Sequence, residues 1–220
     1  MSLPRRVLLT GFTAGLASHA DTVTANTAQP VAGPDLTFRV LRNDSQIGTH
    51  ALRFTVETRA LTVRIATQIR VGLGPITFYR YTHRAEERWQ DGLFVALDAE
   101  TDDNGAVTPI RVRRDEAGFS VTGGQAPRGL APENALPLTH WNRAMLDGPM
   151  ISGQSGALLR PVVGRLGADQ VTTAAGGVIE ADRYTLRGDP DMDTWYDARA
   201  TWRGLRLTAR DGSIIRYEPA

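Results

Sequence analysis

The chain has no cysteine, and because all 25 of its basic residues are arginine it has no lysine either. The first absence rules out a disulfide framework, a thiol nucleophile, a Cys-type zinc site and an iron–sulfur cluster. The second rules out a P-loop lysine and a Schiff-base lysine. Charge of one sign is also scarce, since a formal net charge of +1 gives no field to attract nucleic acid. Beyond the N-terminal region no apolar run approaches the roughly 20 residues a spanning helix needs. What remains is a 220-residue chain with 41% hydrophobic residues, enough to bury a sizeable core.

The N-terminus reads as an address. Arg5-Arg6 precedes the apolar run Val7–Ala17, and Ser18-His19-Ala20 then places small residues where a signal peptidase reads them. Paired arginines ahead of a short apolar stretch predict a twin-arginine signal peptide over residues 1–20. Pro4 stands where that motif usually has serine and no lysine follows, so export through the general secretory route stays open. Residues 21–34, rich in Thr, Ala and Pro, read as a flexible leader, and 35–220 as a single β-rich domain. The expected location is the periplasm, as a soluble exported protein with no transmembrane segment in the mature chain.

From Leu36 onward the dominant period is two. Leu36, Phe38 and Val40 alternate with Thr37 and Arg39, and Leu61, Val63 and Ile65 alternate with Thr62 and Arg64. This is the pattern of antiparallel strands with one apolar and one wet face. Asp91-Gly92, Asn104-Gly105 and Asp211-Gly212 supply the positive φ angles of tight hairpins. Residues 123–138 have no period and many breakers, so they predict a long loop. Thr139 is positioned to cap a short helix over 139–146. Strands are expected again over 155–166, 169–174, 178–187, 194–202 and 204–217. The fold class expected is mainly β: a strongly curved antiparallel sheet or partly closed β-barrel with one short helix near its mouth.

The segment Ile76–Gln90 is distinctive. One parity carries Tyr79, Tyr81, His83, Glu87 and Trp89; the other carries Arg80, Arg84, Glu86 and Arg88 and reads as the solvated face. Two ionisable groups on an aromatic inner face need partners or shifted pKa values, a frequent mark of a site. His140-Trp141, beside the long loop, joins them as a possible lid. The ligand-binding candidates are therefore Tyr79, Tyr81, His83, Glu87, Trp89, His140 and Trp141. His83 and Glu87 lie about 13 Å apart along a strand, so each needs its own partner, with Arg111 or Arg113 available to Glu87. The plainer reading of the same residues is a satisfied polar pair in a core.

Other motifs fall short. Asp189, Asp191, Asp193 and Asp197 match EF-hand positions, but Thr194 and Ala200 replace the required Gly and Glu. Were residues 83–88 helical, His83, Glu86 and Glu87 would share a face and hold a metal, but the strand aromatics before them argue against it. Gly153-Gln154-Ser155-Gly156 is one residue short of a nucleophile elbow, and no histidine follows His140. No cofactor, metal or catalytic residue is expected from these patterns.

Several stretches in order carry a resemblance: Asp44-Ser45-Gln46-Ile47-Gly48, Tyr81-Thr82-His83, Glu87–Leu93, Thr101–Gly105, Thr139-His140-Trp141 and Trp195-Tyr196-Asp197. Together they resemble an uncharacterised bacterial exported family known only as a domain of unknown function, over roughly residues 36–217. More distantly the chain resembles the half-barrel carriers LolA and LolB, and that likeness implies a curved sheet with a concave face for acyl chains. No matching carrier motif is present, so lipoprotein transport itself is not implied. The expected function is a non-catalytic periplasmic carrier or binding module for a lipid or other apolar or amphipathic ligand. The alternatives are an envelope hydrolase using His83, Glu87 and a further carboxylate, or a structural envelope factor that binds only protein. The lining of the concavity separates the three.

Overall fold

A computed structural model describes residues 33–73 and 76–220. The signal peptide and nearly all of the leader expected from the sequence lie outside the described residues. The first meander comprises β1 (Leu36–Arg42), β2 (Ser45–Val56), β3 (Ala60–Leu73), β4 (Ile76–Gln90), β5 (Leu93–Asp103), β6 (Ala106–Asp115) and β7 (Gly118–Thr122). A long excursion follows, whose strands are the short β8 (Leu136–Pro137), β9 (Met150–Ile151) and β10 (Leu158–Leu159). The second meander is β11 (Val162–Thr172), β12 (Val178–Arg187), β13 (Met192–Tyr196), β14 (Trp202–Thr208) and β15 (Ile214–Pro219).

The two meanders form one curved antiparallel sheet of 12 strands, ordered β11-β12-β13-β14-β15-β1-β2-β3-β4-β5-β6-β7. They join where β15 pairs with β1, in a register that sets Val40 opposite Tyr217. The alternation seen in the sequence becomes the two faces: Leu61, Val63 and Ile65 are buried while Arg64 is exposed. The tight turns also form as their residues require. Asp91-Gly92 has φ of 51° and 77°, and Asn104-Gly105 has 54° and 96°. Two successive positive φ values suit the right-handed twist of the flanking strands.

The concave face is filled by residues 123–160 of the chain itself. Ala131, Ala135, Trp141, Met145, Met150 and Ile151 from this segment pack in one core with Phe38, Leu52, Leu97, Ile110 and Phe119 of the sheet. Entry to this plug is fixed by a pair of backbone bonds, Phe119 N–H to the Ala131 carbonyl and Ala131 N–H to the Phe119 carbonyl, each 2.8 Å. Gly118 permits that approach: its φ is +149°, and a Cβ there would lie 2.0 Å from the Ala131 oxygen. The plug is mostly irregular, and the short strand pairs β8–β9 and β9–β10 satisfy part of its buried backbone.

The helix expected over 139–146 is a single 3-10 stretch, Arg143–Asp147. Its cap is Asn142, whose Oδ1 accepts from Ala144 N at 3.1 Å. Thr139 cannot start the helix, because His140 adopts a φ of 69° and breaks any continuous turn. The expected strands 155–166 and 169–174 are instead one strand, β11, bent by a register shift between Arg165 and Gly167. The stretch before it belongs to the plug.

Candidate functional site

The inner face carries a transverse row of polar side chains in register: His50 opposite Thr67, Thr67 opposite His83, and His83 opposite Thr101. His50 Nδ1 lies 2.7 Å from Thr67 Oγ1, and His83 Nδ1 lies 2.9 Å from Thr101 Oγ1. The third inner histidine, His140, stacks on Trp202 with ring centroids 5.1 Å apart and planes at 18°. His50 meets the same indole edge-on at 5.4 Å. All three imidazoles are buried. Burial lowers His50 to about 3, with His140 and His83 adding charge repulsion. It lowers His83 and His140 each to about 4. They are neutral rings at neutral pH. Placing the His50 proton on Nδ1 lets it donate to Thr67 and leaves Nε2, which has no partner, as a bare acceptor.

Glu87 is 0% exposed. Its Oε2 accepts from the indole Nε1 of Trp89 at 2.9 Å and of Trp141 at 3.0 Å. Burial raises its pKa, opposed by the Thr139 hydroxyl and the two indoles, which favour the charged form. The Arg partner expected for Glu87 is not there. Arg113 instead bonds Asp98 at 2.6 Å and the Leu97 carbonyl at 3.1 Å. Arg111 is exposed on the opposite face. Two indole N–H donors take the place of a guanidinium, so no cation offsets the burial that raises the Glu87 pKa.

Of the seven residues singled out from the sequence, Glu87, Trp89 and Trp141 come together as one hydrogen-bonded cluster. Trp89 and Trp141 meet edge-on with centroids 5.5 Å apart. His83 faces the plug at Gly153, and His140 belongs to the Trp202 group. Tyr79 and Tyr81 are half-buried toward one end of β4. Burial and the neighbouring Asp103 push Tyr79 up to about 12. The Trp202 group also includes His50 and Tyr217, whose ring centroids are 5.2 Å apart. His50 shares the parity of Leu52 and Phe54, so the period-two pattern that exposed His83 marks it as well.

The open concavity lies on the other face. A groove of about 720 Å³ crosses β2 to β6 on the side away from the core. Ala51, Ala66 and Pro109 lie in one row across its shallow floor with Arg84 and Glu100, and Arg53, Arg64, Glu86, Asp98 and Arg111 line one flank. The flank is partly neutralised, with Arg64 on Glu86 at 2.9 Å and Arg88 and Arg113 both on Asp98. Arg84, Glu100 and Arg111 have no ion pair among the described residues. In the sequence this parity marks only a wet face, and no one-dimensional pattern marks where a coiled sheet becomes concave on its outer side.

Elsewhere, no group of His, Asp and Glu among the described residues is placed to hold a metal. Of the EF-hand-like aspartates, Asp193 is committed to three arginines and Asp197 to Arg203 at 2.7 Å. No helix among the described residues is long and apolar enough to cross a membrane.

This is a plugged, barrel-like antiparallel sheet with a charged groove on its outer face. Residues 38–220 match the domain of unknown function DUF6134, and the chain belongs to that family. A search of curated protein sequences gives no match. Among solved structures the chain is similar to a β-barrel-like protein of the domain of unknown function DUF1849 from Brucella abortus. The TM-score is 0.57 at 7% identity, over 84% of this chain and 95% of that one. At that identity the likeness speaks to fold alone, and the fold is the curved, barrel-like sheet expected from the sequence.

Proposed function

We propose that the protein is an exported, periplasmic, non-catalytic binding module for an amphipathic molecule, and that the molecule lies in the outer groove across β2 to β6. The observation that carries this is the contrast between the two faces. The inner face is packed with the protein's own plug, while the outer groove offers about 720 Å³ of open space. Its alanine and proline floor accepts an apolar chain without displacing large side chains, and its rim supplies charge for a polar head. The N-terminal twin-arginine pattern supports the location.

The test is native mass spectrometry of the protein purified from its own periplasm, followed by titration with a lysophospholipid. The native protein is expected to carry or take up one amphipathic molecule and to begin at Asp21. Ala66→Trp fills the groove floor and is expected to abolish uptake while leaving the melting temperature within a few degrees. Binding that survives Ala66→Trp but is lost in His83→Asn would place the ligand on the inner face, among Tyr79, Tyr81, His83, Glu87, Trp89, His140 and Trp141, with the plug displaced. No uptake at all by the native protein would overturn the reading.

A further inference from the structure

On the outer face of the second meander, three arginines converge on one buried carboxylate. Asp193, on β13, is 4% exposed. Its Oδ2 accepts from Arg183 Nη2 at 2.6 Å and from Arg206 Nη2 at 2.8 Å, while Oδ1 accepts from Arg187 Nη2 at 2.7 Å. The sheet fixes this meeting. Asp193 and Arg206 are directly opposed across β13 and β14, and Arg183 is opposed to Trp195 across β12 and β13. The Trp195 ring holds two of the guanidinium groups from behind, with the Arg183 and Arg206 centres 5.6 Å and 5.9 Å from its centroid.

Asp193 by itself does not balance the cluster. One carboxylate answers three guanidinium groups, two of which share a single oxygen. Two further carboxylates pair with the arginines at longer range. Asp191 is 69% exposed and reaches only Arg187, at 3.3 Å. Asp169 stands 3.9 Å from Arg183 and accepts the Trp195 indole N–H. Donors are also in surplus: Arg183 Nε is buried with no partner, and the only ion pair of Arg206 among the described residues is with Asp193. These groups open on a cleft of about 330 Å³ whose lining carries Arg183, Arg187, Arg206 and Thr208 together with the carboxylates of Asp191 and Asp193.

We propose that this cleft is a binding site for a tetrahedral oxyanion, a phosphate group or its sulfate equivalent. Asp193 and Trp195 act as the frame. They hold three guanidinium groups of like charge side by side before any ligand arrives, so little side-chain freedom is lost on binding. The N–H donors of Arg206 that Asp193 does not engage then form forked, charge-assisted bonds to oxygens of the anion, while Arg187, whose Nη1 already donates to the Leu186 and Met192 carbonyls, contributes its positive charge. Thr208 adds a neutral hydroxyl. This site is separate from the β2–β6 groove and does not rest on the reading given for it.

The test uses inorganic phosphate as probe, titrated calorimetrically into the mature protein at constant ionic strength set with chloride. Saturable binding of one phosphate is expected, with a rise in melting temperature that chloride does not produce. Arg206→Gln is expected to weaken binding by roughly tenfold or more, the scale of one lost charge-assisted bond. Arg187→Gln, at the more exposed end of the cluster, should do the same and serves if the first variant is poorly folded. Ala66→Trp should leave phosphate binding unchanged. Glycerol phosphate and a short-chain phosphatidic acid distinguish the source. Equal affinity for all three marks a free anion, and a large preference for phosphatidic acid marks a lipid head group. Absence of saturable phosphate binding by the native protein, or equal affinity in folded Arg206→Gln and Arg187→Gln, would overturn the proposal.

Discussion

The Trp141 indole nitrogen lies 3.0 Å from Glu87 Oε2, joining positions 54 residues apart in the chain. One of these residues belongs to the sheet and the other to the plug, so the bond is a latch between them. A buried carboxyl that accepts two indole N–H groups and meets no cation is a structural device first. The predictions at this position follow from that.

Trp141→Phe removes the latch but keeps most of the volume. It should cost about 1–3 kcal/mol, the range for removing a partner from a buried polar group. Trp141→Ala adds a cavity and should cost about 3–5 kcal/mol. Urea unfolding measures both. In the alanine variant trypsin should also cut at Arg143 faster than in the native protein, because the 3-10 stretch comes loose with the plug. Equal cleavage rates would mean that the latch is not what holds it.

Glu87→Gln tests the state of the carboxyl. Its folded pKa is raised by burial. A raised folded pKa gives stability that is fully present below the unfolded value and is lost as pH climbs through the folded value. Glutamine keeps an acceptor oxygen for both indoles and cannot ionise. The melting temperature of Glu87→Gln should therefore gain on that of the native protein as pH rises from mildly acidic to alkaline. A constant difference across that range would show that folding does not raise the Glu87 pKa.

The three inner histidines act in the opposite direction. Their folded values, about 3 for His50 and about 4 for His83 and His140, lie below the ordinary 6.5. Stability they contribute is complete above the unfolded value and is lost as pH falls from there through the folded values. With three groups taking up protons on unfolding, the slope reaches about 4 kcal/mol per pH unit at most. Urea titrations at stepped pH should show this loss, and His50→Gln should reduce the slope by about a third. An unchanged slope in that variant would remove His50 from the set.

Gly48 tests the packing of β2 on β3. A Cβ at this position would lie 2.0 Å from the Gln68 carbonyl oxygen and 2.9 Å from the Ile69 Cα. Both are backbone atoms, so relief requires the strands to part. Gly48→Ala should lower stability by about 1–3 kcal/mol or more, as overpacking does. Gly212→Ala is the control, since its Cβ meets nothing within 4 Å and its strain is confined to a turn with φ of +81°.

The architecture was legible where local rules act. Period two identified the strands of the first meander, and Asp-Gly and Asn-Gly marked its hairpins. The same parity placed His83, Glu87 and Trp89 on the inner face. The destination of residues 123–160 was not legible, because a segment without period gives no sign of whether it lies over a mouth or inside it. Its apolar residues, Trp141, Met145, Met150 and Ile151, are spaced by no regular element. The partner of Glu87 was missed for a related reason. Arg111 and Arg113 are close in sequence to the neighbouring strand, but their parity sends them outward, and the donors that replace them include one from the plug. The outer groove and the Asp193 cluster depend on sheet curvature and cross-strand register, which exist only in three dimensions.

The pairing of β15 with β1 has a consequence for the order in which the molecule can be assembled. Each meander is built from neighbours in sequence, so each can form its hairpins as it leaves the ribosome. The seam between them joins Phe38 to Pro219, one of the earliest described residues to one of the latest. Until β15 has been synthesised, β1 has a bare edge and the plug has only half a wall to pack against. A partly made chain is therefore poor in long-range closure and rich in exposed strand edge, the state most exposed to mispairing. Completion of the last strand is the event that turns two separate ribbons into one continuous sheet.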